Sequence, residues 1–86
     1  MVDAAEIKQW IEQGLTDCTA EVEGDGQHFS AVIVSLAFAG MTTVEQHRLV
    51  YAALGDRMGG EIHALSIQAY TPEEWERDKS LRVISG

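Results

Sequence analysis

The spacing of apolar and polar residues predicts a helix and two strands in the first part of the chain. Apolar side chains recur every three or four positions over residues 3–15, which is typical of an amphipathic helix: Ile7, Trp10, Ile11 and Leu15. Residues 18–23 alternate between apolar and polar, as in a half-exposed strand, and a Gly-Asp-Gly turn follows. Residues 28–35 are apolar and β-branched on both faces, so we expect a central strand paired antiparallel with the first.

The rest of the pattern predicts a long helix, a third strand and a closing helix. The long helix starts at a capping box of Thr42 and Glu45 and runs to about residue 58. Its predicted apolar stripe is Val44, His47, Tyr51, Leu54 and Met58, with Val50 and Ala53 beside it. Residues 61–70 read as a strand with His63 in its middle, on the face that also carries Leu65, Ile67 and Ala69. Thr71 then caps a helix whose first residue is Pro72.

These elements predict a small α+β domain in which helices pack on one face of a three-stranded mixed sheet. The order is helix, strand, strand, helix, strand, helix, and it becomes αββααβα-like when a helical turn expected at residues 36–40 is counted. One domain is predicted over residues 1–80, and residues 81–86 are expected to form a frayed C-terminal tail. The pattern leaves the order of the strands in the sheet open.

Composition adds information about charge and compartment. The 86 residues carry a formal net charge of −8, which weighs against a dedicated DNA binder because Lys and Arg supply the phosphate contacts. No apolar run approaches the roughly 18 residues of a membrane helix, and the sequence shows no export signal. The single cysteine, Cys18, cannot form an internal disulfide. A reducing compartment is consistent with this, and we expect a cytoplasmic protein.

The three histidines are the candidate metal ligands, although none is spaced from another as in a zinc motif. His47 lies on the predicted apolar stripe, which favours a buried, hydrogen-bonded ring. His28 lies at the mouth of the hairpin, where an exposed loop residue is the default. For His63 two interpretations stay open: a ring bonded inside the core, or a ring directed outward from the strand edge. Cys18 is expected to fill space in the core, and no grouped acid, base and nucleophile indicates an enzyme.

Four segments of the sequence resemble the BolA family. They are His28-Phe29, Phe38-Ala39-Gly40-Met41, His47-Arg48-Leu49-Val50-Tyr51, and residues 62–75, which read Ile-His-Ala-Leu-Ser-Ile-Gln-Ala-Tyr-Thr-Pro-Glu-Glu-Trp. The resemblance covers residues 5–79, and residues 74–78 are similar to a short bacterial branch of the family. It implies a fold like the type II KH domain, which agrees with the predicted order of elements.

The resemblance also implies a non-enzymatic adaptor with a defined partner. BolA-like proteins bind a monothiol glutaredoxin that has a Cys-Gly-Phe-Ser site, and the pair shares a [2Fe–2S] cluster with glutathione. The implied cluster ligands in this chain are His63 and His28. The implied partner contacts are His63, Tyr70, Thr71 and Pro72. No cofactor is implied for the isolated chain, and whether it forms a homodimer is left open.

Two imidazoles on one iron give a Rieske-like centre, whose potential is higher than that of an all-thiolate cluster. From the predicted elements, His28 and His63 can meet only if the hairpin loop folds back over the face of the last strand. Metal binding needs neutral imidazole, so cluster retention is expected to fall below about pH 6.5.

A DNA-binding transcription regulator of the stress-response type is the alternative that the family name also implies. The long helix and the C-terminal tail would contact DNA through four basic residues: Arg48, Arg57, Arg77 and Lys79. Many relatives carry a basic residue where this chain has Glu45 and Gln46, which weakens the alternative, and the Gly-x-x-Gly clamp of RNA-binding KH domains is missing. A third interpretation is a scaffold whose histidines are all structural.

Overall fold

The computed structural model describes the backbone of residues 2–85 and the side chains of residues 2–78. Its helices are α1 (Ala4–Gly14), α2 (Thr43–Leu54) and α3 (Pro72–Ser85), and its strands are β1 (Cys18–Gly24), β2 (His28–Ser35) and β3 (Ala64–Tyr70). Turns of 3-10 helix at Leu36–Phe38 and Gly55–Arg57 flank α2. This order confirms the predicted α+β class. Within residues 2–85, no helix combines the length and the apolar character needed to cross a membrane.

The three strands form one mixed sheet in the order β1-β2-β3. β1 and β2 pair antiparallel, from Cys18 opposite Ser35 to Gly24 opposite Phe29. β2 and β3 pair in parallel, from His28 opposite Ala64 to Val34 opposite Tyr70. The antiparallel hairpin and the central position of β2 were predicted, and the structure now supplies the strand order. β2 and β3 therefore begin side by side at the same end of the sheet.

Each helix begins at a capping box, in which a short polar side chain and a glutamate three residues later satisfy each other's backbone N–H groups. The pairs are Asp3 with Glu6, Thr42 with Glu45 and Thr71 with Glu74. In the last box the Glu74 amide donates to Thr71 Oγ1 at 3.2 Å, and the Thr71 amide donates to Glu74 Oε1 at 2.8 Å. The predicted caps at Asp3, Thr42 and Thr71 are confirmed.

The core lies between the sheet and the layer formed by α1 and α2. Alternate residues of β2 are buried on this face: Phe29, Ala31 and Ile33. The helices contribute Ile7, Ile11, Val50 and Leu54, all inaccessible to solvent. β3 adds Leu65, Ile67 and Ala69, which pack against the edge of the cluster. Apolar side chains that recur every second residue in the strands thus pack against apolar side chains that recur about every 3.6 residues in the helices, and together they form one apolar layer.

The predicted apolar stripe of α2 is confirmed at Leu54 and at the neighbouring Val50, and it is wrong at Val44 and Tyr51. Val44 and Tyr51 are 58% and 41% exposed, whereas Gln46, Val50 and Leu54 are buried. The reason is Gln46, whose Nε2 donates to the carbonyl oxygens of Phe38 and Met41 at 3.3 and 3.4 Å and so occupies the core-facing position with a polar group. The helix also ends at Leu54 rather than near residue 58, because Gly55 adopts a positive φ of 60°.

α3 departs from the prediction in its length and in its position. It extends to Ser85, so most of the stretch expected to be a tail has a helical backbone, and fraying of its last turns stays a prediction. Near its start, Trp75 lines a shallow cavity together with Val32 and Val34, which face away from the core. Its ring centroid lies 5.4 Å from that of Tyr70. α1 and α2 thus cover one face of the sheet, while Trp75 lies over the other.

Candidate functional site

His28 is the first residue of β2, and its side chain is exposed. The hairpin turn before it is fixed by Asp25, whose Oδ1 accepts hydrogen bonds from the amides of Gln27 and His28, each at 2.9 Å. The Asp25 amide in turn donates to the His28 carbonyl at 3.2 Å. This closed set of bonds sets the direction in which the His28 side chain leaves the sheet.

The turn depends on a glycine at its other end. A Cβ at Gly24 would lie 2.4 Å from the His28 carbonyl oxygen and 2.5 Å from the Phe29 ring. Only a residue without a side chain allows β1 to approach the start of β2 this closely. The Gly-Asp-Gly sequence that was read only as a turn therefore also positions His28.

His63 lies immediately before β3 rather than in the middle of a strand, and its side chain is exposed. The predicted strand was too long at this end. The loop before His63 is held by its own hydrogen bonds rather than by pairing with β2. The Ile62 amide donates to the Arg57 carbonyl and the Gly59 amide donates to the Ile62 carbonyl, both at 2.9 Å. The Ile62 side chain is fully buried. It anchors the chain in the core one residue before the exposed histidine.

The parallel register brings the two histidines together. His28 lies opposite Ala64, and His63 is the residue before Ala64. Since neighbouring strands are about 4.8 Å apart, the backbones at the two histidines lie side by side at one end of the sheet. The pairing of β2 with β3 supplies this backbone neighbourhood. The folding back of the hairpin loop, which the sequence suggested for convergence of the two rings, stays a prediction.

A cleft of about 430 Å³ opens beside His63. Its lining consists of Val2, Asp25, Gly26, Gln27, Gly60, Glu61 and His63. Two carboxylates, Asp25 and Glu61, thus line the cleft together with His63, and neither was predicted to belong to a site with the histidines. The signal that could have found them is their position, because each lies two or three residues before a candidate histidine in a glycine-containing turn.

The charge of Asp25 is stabilised by its place in the turn. Hydrogen bonds from the amides of His28 and Gln27 lower the pKa of this carboxyl below its ordinary value. The group is fully exposed, so this effect concerns the local geometry and charge of the turn rather than burial. Asp25 is therefore a fixed negative group next to the site.

The donor chemistry fits part of a cluster site. Within residues 2–78 no hydrogen bond is made by either imidazole, of His28 or of His63, so both rings have nitrogens available for a ligand. The interpretation of the chain as a scaffold with purely structural histidines required these rings to be hydrogen-bonded within the fold. The same part of the chain contains no group of three or more His, Cys, Asp and Glu side chains that could hold a metal ion.

The remaining predicted partner contacts are at the other end of β3. Tyr70 is its last residue, and Thr71 and Pro72 follow it into α3. With a rise of about 3.3 Å per residue, seven strand residues separate them from His63 by roughly 20 Å. A single chain therefore does not bring Tyr70, Thr71 and Pro72 to the histidine pair.

Of the four basic residues named for DNA binding, the three whose side chains are described lie on three different elements. Arg48 is exposed on α2 and Arg77 on α3. The guanidinium of Arg57 lies 4.2 Å from the centre of the Trp10 ring, and its Nη1 donates to the Leu54 carbonyl at 3.5 Å. Arg57 thus connects the turn after α2 to α1. The Lys79 side chain is outside the described residues.

Two further expectations concern single side chains. Cys18 is half-buried against the core, and burial raises the pKa of its thiol to about 11. This agrees with a space-filling residue. His47 is half-buried, and its ring makes no hydrogen bond within residues 2–78. The prediction of a buried, bonded His47 is wrong, because α2 turns Gln46 rather than His47 toward the core.

Comparison with known proteins agrees with the fold. The profile of the family described as BolA-like protein matches residues 11–74. The chain belongs to the BolA family. It is 40% identical over 77 residues to the acid stress protein IbaG of Escherichia coli K12, covering 88% of this chain and 92% of IbaG. It is 45% identical over 58 residues to human BolA-like protein 1, covering 67% of this chain and 42% of the human one.

Solved BolA structures share the architecture. A BolA homologue from Coxiella burnetii superposes with a TM-score of 0.84 at 52% identity, covering 90% of this chain and all of that one. The mammalian BolA-like protein 1 sequences are longer, and this chain spans less than two thirds of each. The match to the BolA profile includes both His28 and His63 and indicates no catalytic family.

Proposed function

We propose that this BolA-family chain is an adaptor in the assembly and trafficking of iron–sulfur clusters in the cytoplasm. It binds a monothiol glutaredoxin with a Cys-Gly-Phe-Ser site and shares a [2Fe–2S] cluster with that protein and glutathione. His28 and His63 provide the two ligands from this side. One observation supports the proposal most directly. His28, at the start of β2, and His63, just before the start of the parallel strand β3, are both exposed, and neither ring makes a hydrogen bond within residues 2–78.

The chain contributes positioning more than reactivity. Asp25 fixes the backbone at His28 by accepting hydrogen bonds from the backbone amides of Gln27 and His28. The buried side chain of Ile62 fixes the backbone at His63. Both ligands thus come from anchored positions, which lowers the entropy lost when they bind. Two neutral imidazoles in place of two thiolates make the shared cluster less negative and raise its potential, which suits a cargo that is passed on.

Anaerobic copurification tests this function. The chain and a monothiol glutaredoxin are mixed with glutathione, iron and sulfide, and the purified complex is analysed for iron and for its visible absorption spectrum. We expect a Rieske-like spectrum for the wild type and its loss in His28→Ala and His63→Ala. His47→Ala is the matched control, since that residue lies on α2 and should leave the spectrum unchanged. An unchanged spectrum in His63→Ala would remove this residue from the site.

Acidification is a second arm of the same experiment. Because protonated imidazole cannot bind iron, the wild-type complex should lose its cluster as the pH falls from neutral into the acid range. Loss of the cluster in acid would be consistent with the name of the relative IbaG, which is called an acid stress protein. A glutaredoxin homodimer with only thiolate ligands, measured alongside, should keep its cluster over this pH range.

The transcription-regulator alternative has weaker support. Arg57 is occupied by Trp10 and the Leu54 carbonyl, and the net charge of −8 opposes approach to DNA. The deciding experiment is a mobility shift at low salt with Arg48→Ala and Arg77→Ala. A shift that disappears in these variants and falls steeply with salt would favour DNA binding over the adaptor function.

A further inference from the structure

The two edges of the sheet differ in whether side chains hydrogen-bond to their outward-facing backbone groups. On the outer edge of β1, Glu12 Oε2 accepts from the Ala20 amide at 3.0 Å, and Lys8 Nζ donates to the Ala20 carbonyl at 2.7 Å. Lys8 and Glu12 also pair with each other at 2.6 Å. An ion pair from α1 therefore occupies the backbone groups in the middle of this edge, where another strand would otherwise add.

Among the residues whose side chains are described, no comparable ion pair covers the outer edge of β3. Apart from the ladder with β2, no backbone N–H or C=O of residues 64–70 takes part in a hydrogen bond described for residues 2–78. The strand reads Ala-Leu-Ser-Ile-Gln-Ala-Tyr and contains no charge, no proline and no glycine. Charges, prolines and bulges are the devices by which proteins keep an exposed edge from pairing. A seven-residue edge without any of them is suited to take another strand.

We propose that two copies of this chain pair antiparallel through β3, so that the sheet continues over six strands. The strand is self-complementary about Ile67. In this register Ile67 lies opposite the partner's Ile67, and Leu65 lies opposite the partner's Ala69 on the core face. On the other face Ser66 lies opposite the partner's Gln68. Apolar residues meet apolar residues and polar residues meet polar ones, which is how cross-strand pairs stabilise a sheet.

A second copy fits this edge better than a charged partner does. The chain carries a net charge of −8, yet the seven paired residues are neutral, so repulsion between two copies comes only from more distant groups. Salt screens such groups over a Debye length of about 8 Å at physiological ionic strength. Dimerisation should therefore strengthen as salt is raised, whereas binding to a basic partner would weaken.

The pairing has a consequence for the histidine site. The same register places the partner's Thr71 opposite His63, which brings together residues that are roughly 20 Å apart within one chain. The homodimer thus covers one side of His63. This consequence, unlike the pairing itself, rests on the proposed function: glutaredoxin binding at His63 should compete with the homodimer.

The test uses the metal-free chain alone, so that it does not depend on cluster binding. Sedimentation equilibrium gives the dimerisation constant between about 1 µM and 1 mM at low and high salt. Hydrogen exchange at both ends of this range locates the interface. We expect a dimer that strengthens with salt, with amides of β3 slowing as the concentration rises and amides of β1 unchanged.

Two double variants check the register. Ser66→Glu with Gln68→Glu sets like charges opposite each other twice, and we expect the dimer to weaken about tenfold or more. Ser66→Glu with Gln68→Lys sets opposite charges in the same places and should retain the dimer. Both positions are exposed, so the two variants should fold alike. A single-chain mass at every concentration, protection outside β3, or equal dimerisation by the two variants would overturn the proposal.

Discussion

Asp25 shows how much of the site depends on a residue that is not itself a ligand. Its carboxylate is exposed, but it accepts hydrogen bonds from the amides of His28 and Gln27 at 2.9 Å, and these bonds lower the pKa of the carboxyl. The two histidines could be identified by resemblance to the BolA family. Asp25 could not, because a Gly-Asp-Gly run predicts a turn and does not reveal which amides the carboxylate binds.

The corresponding prediction concerns the order of the hairpin turn. Asp25→Ala should leave the fold intact and increase the hydrogen exchange rate of the Gln27 and His28 amides, because their acceptor is lost. Asp25→Asn is the matched control, since its side-chain oxygen can still accept both bonds without the charge. NMR exchange measurements on the three proteins check this. Equal protection of both amides in all three would mean that the turn does not need Asp25.

Among the elements, the caps could be predicted from the sequence and the buried face of α2 only in part. A capping box involves residues three apart, so local sequence determines it. The orientation of α2 depends on Gln46, which is buried because distant carbonyls of Phe38 and Met41 receive its amide protons. Val50 and Leu54 could be predicted from their spacing, but hydrophobicity alone also placed Val44 and Tyr51 on the buried face and gave no reason to place Gln46 there.

The junction of α1 with β1 gives the prediction at this scale. The hydrogen bonds from Lys8 and from the Ala20 amide lower the pKa of the Glu12 carboxyl. A carboxyl whose pKa is lower in the folded state stabilises the fold above its unfolded pKa, and the stabilisation is lost as the pH falls through the folded pKa. The Lys8 and Glu12 side chains are 39% and 30% exposed, so solvent screening keeps the effect at roughly 0.5–1 kcal/mol.

Glu12→Gln removes the charge but keeps an acceptor for the Ala20 amide. We expect this variant to be less stable than wild type at pH 7 by that amount, and we expect the difference to be smaller at pH 3, as measured by urea unfolding. Glu23→Gln is the control, because Glu23 is exposed on β1 and makes no hydrogen bond described here. A stability difference of the same size at both pH values would show that the ion pair is not its cause.

For the whole molecule, the decisive feature is the parallel pairing of β3 with β2, and it was the feature that the sequence left open. The residues of each strand could be assigned from their alternation, but which strands are neighbours depends on how α2 returns the chain across the sheet. With β3 beside β2, His63 arrives next to His28. With β3 beside β1, the same two histidines would be separated by a strand, and no shared site would follow.

The most direct test of the account is to count the nitrogen ligands on the shared cluster. The anaerobic complex of this chain with a monothiol glutaredoxin and glutathione is reduced and examined by pulsed electron paramagnetic resonance for ¹⁴N couplings. We expect two imidazole nitrogens in the wild type and in His47→Ala, with one lost in His28→Ala and one in His63→Ala. A wild-type cluster without imidazole couplings, or couplings that persist unchanged in His63→Ala, would contradict it.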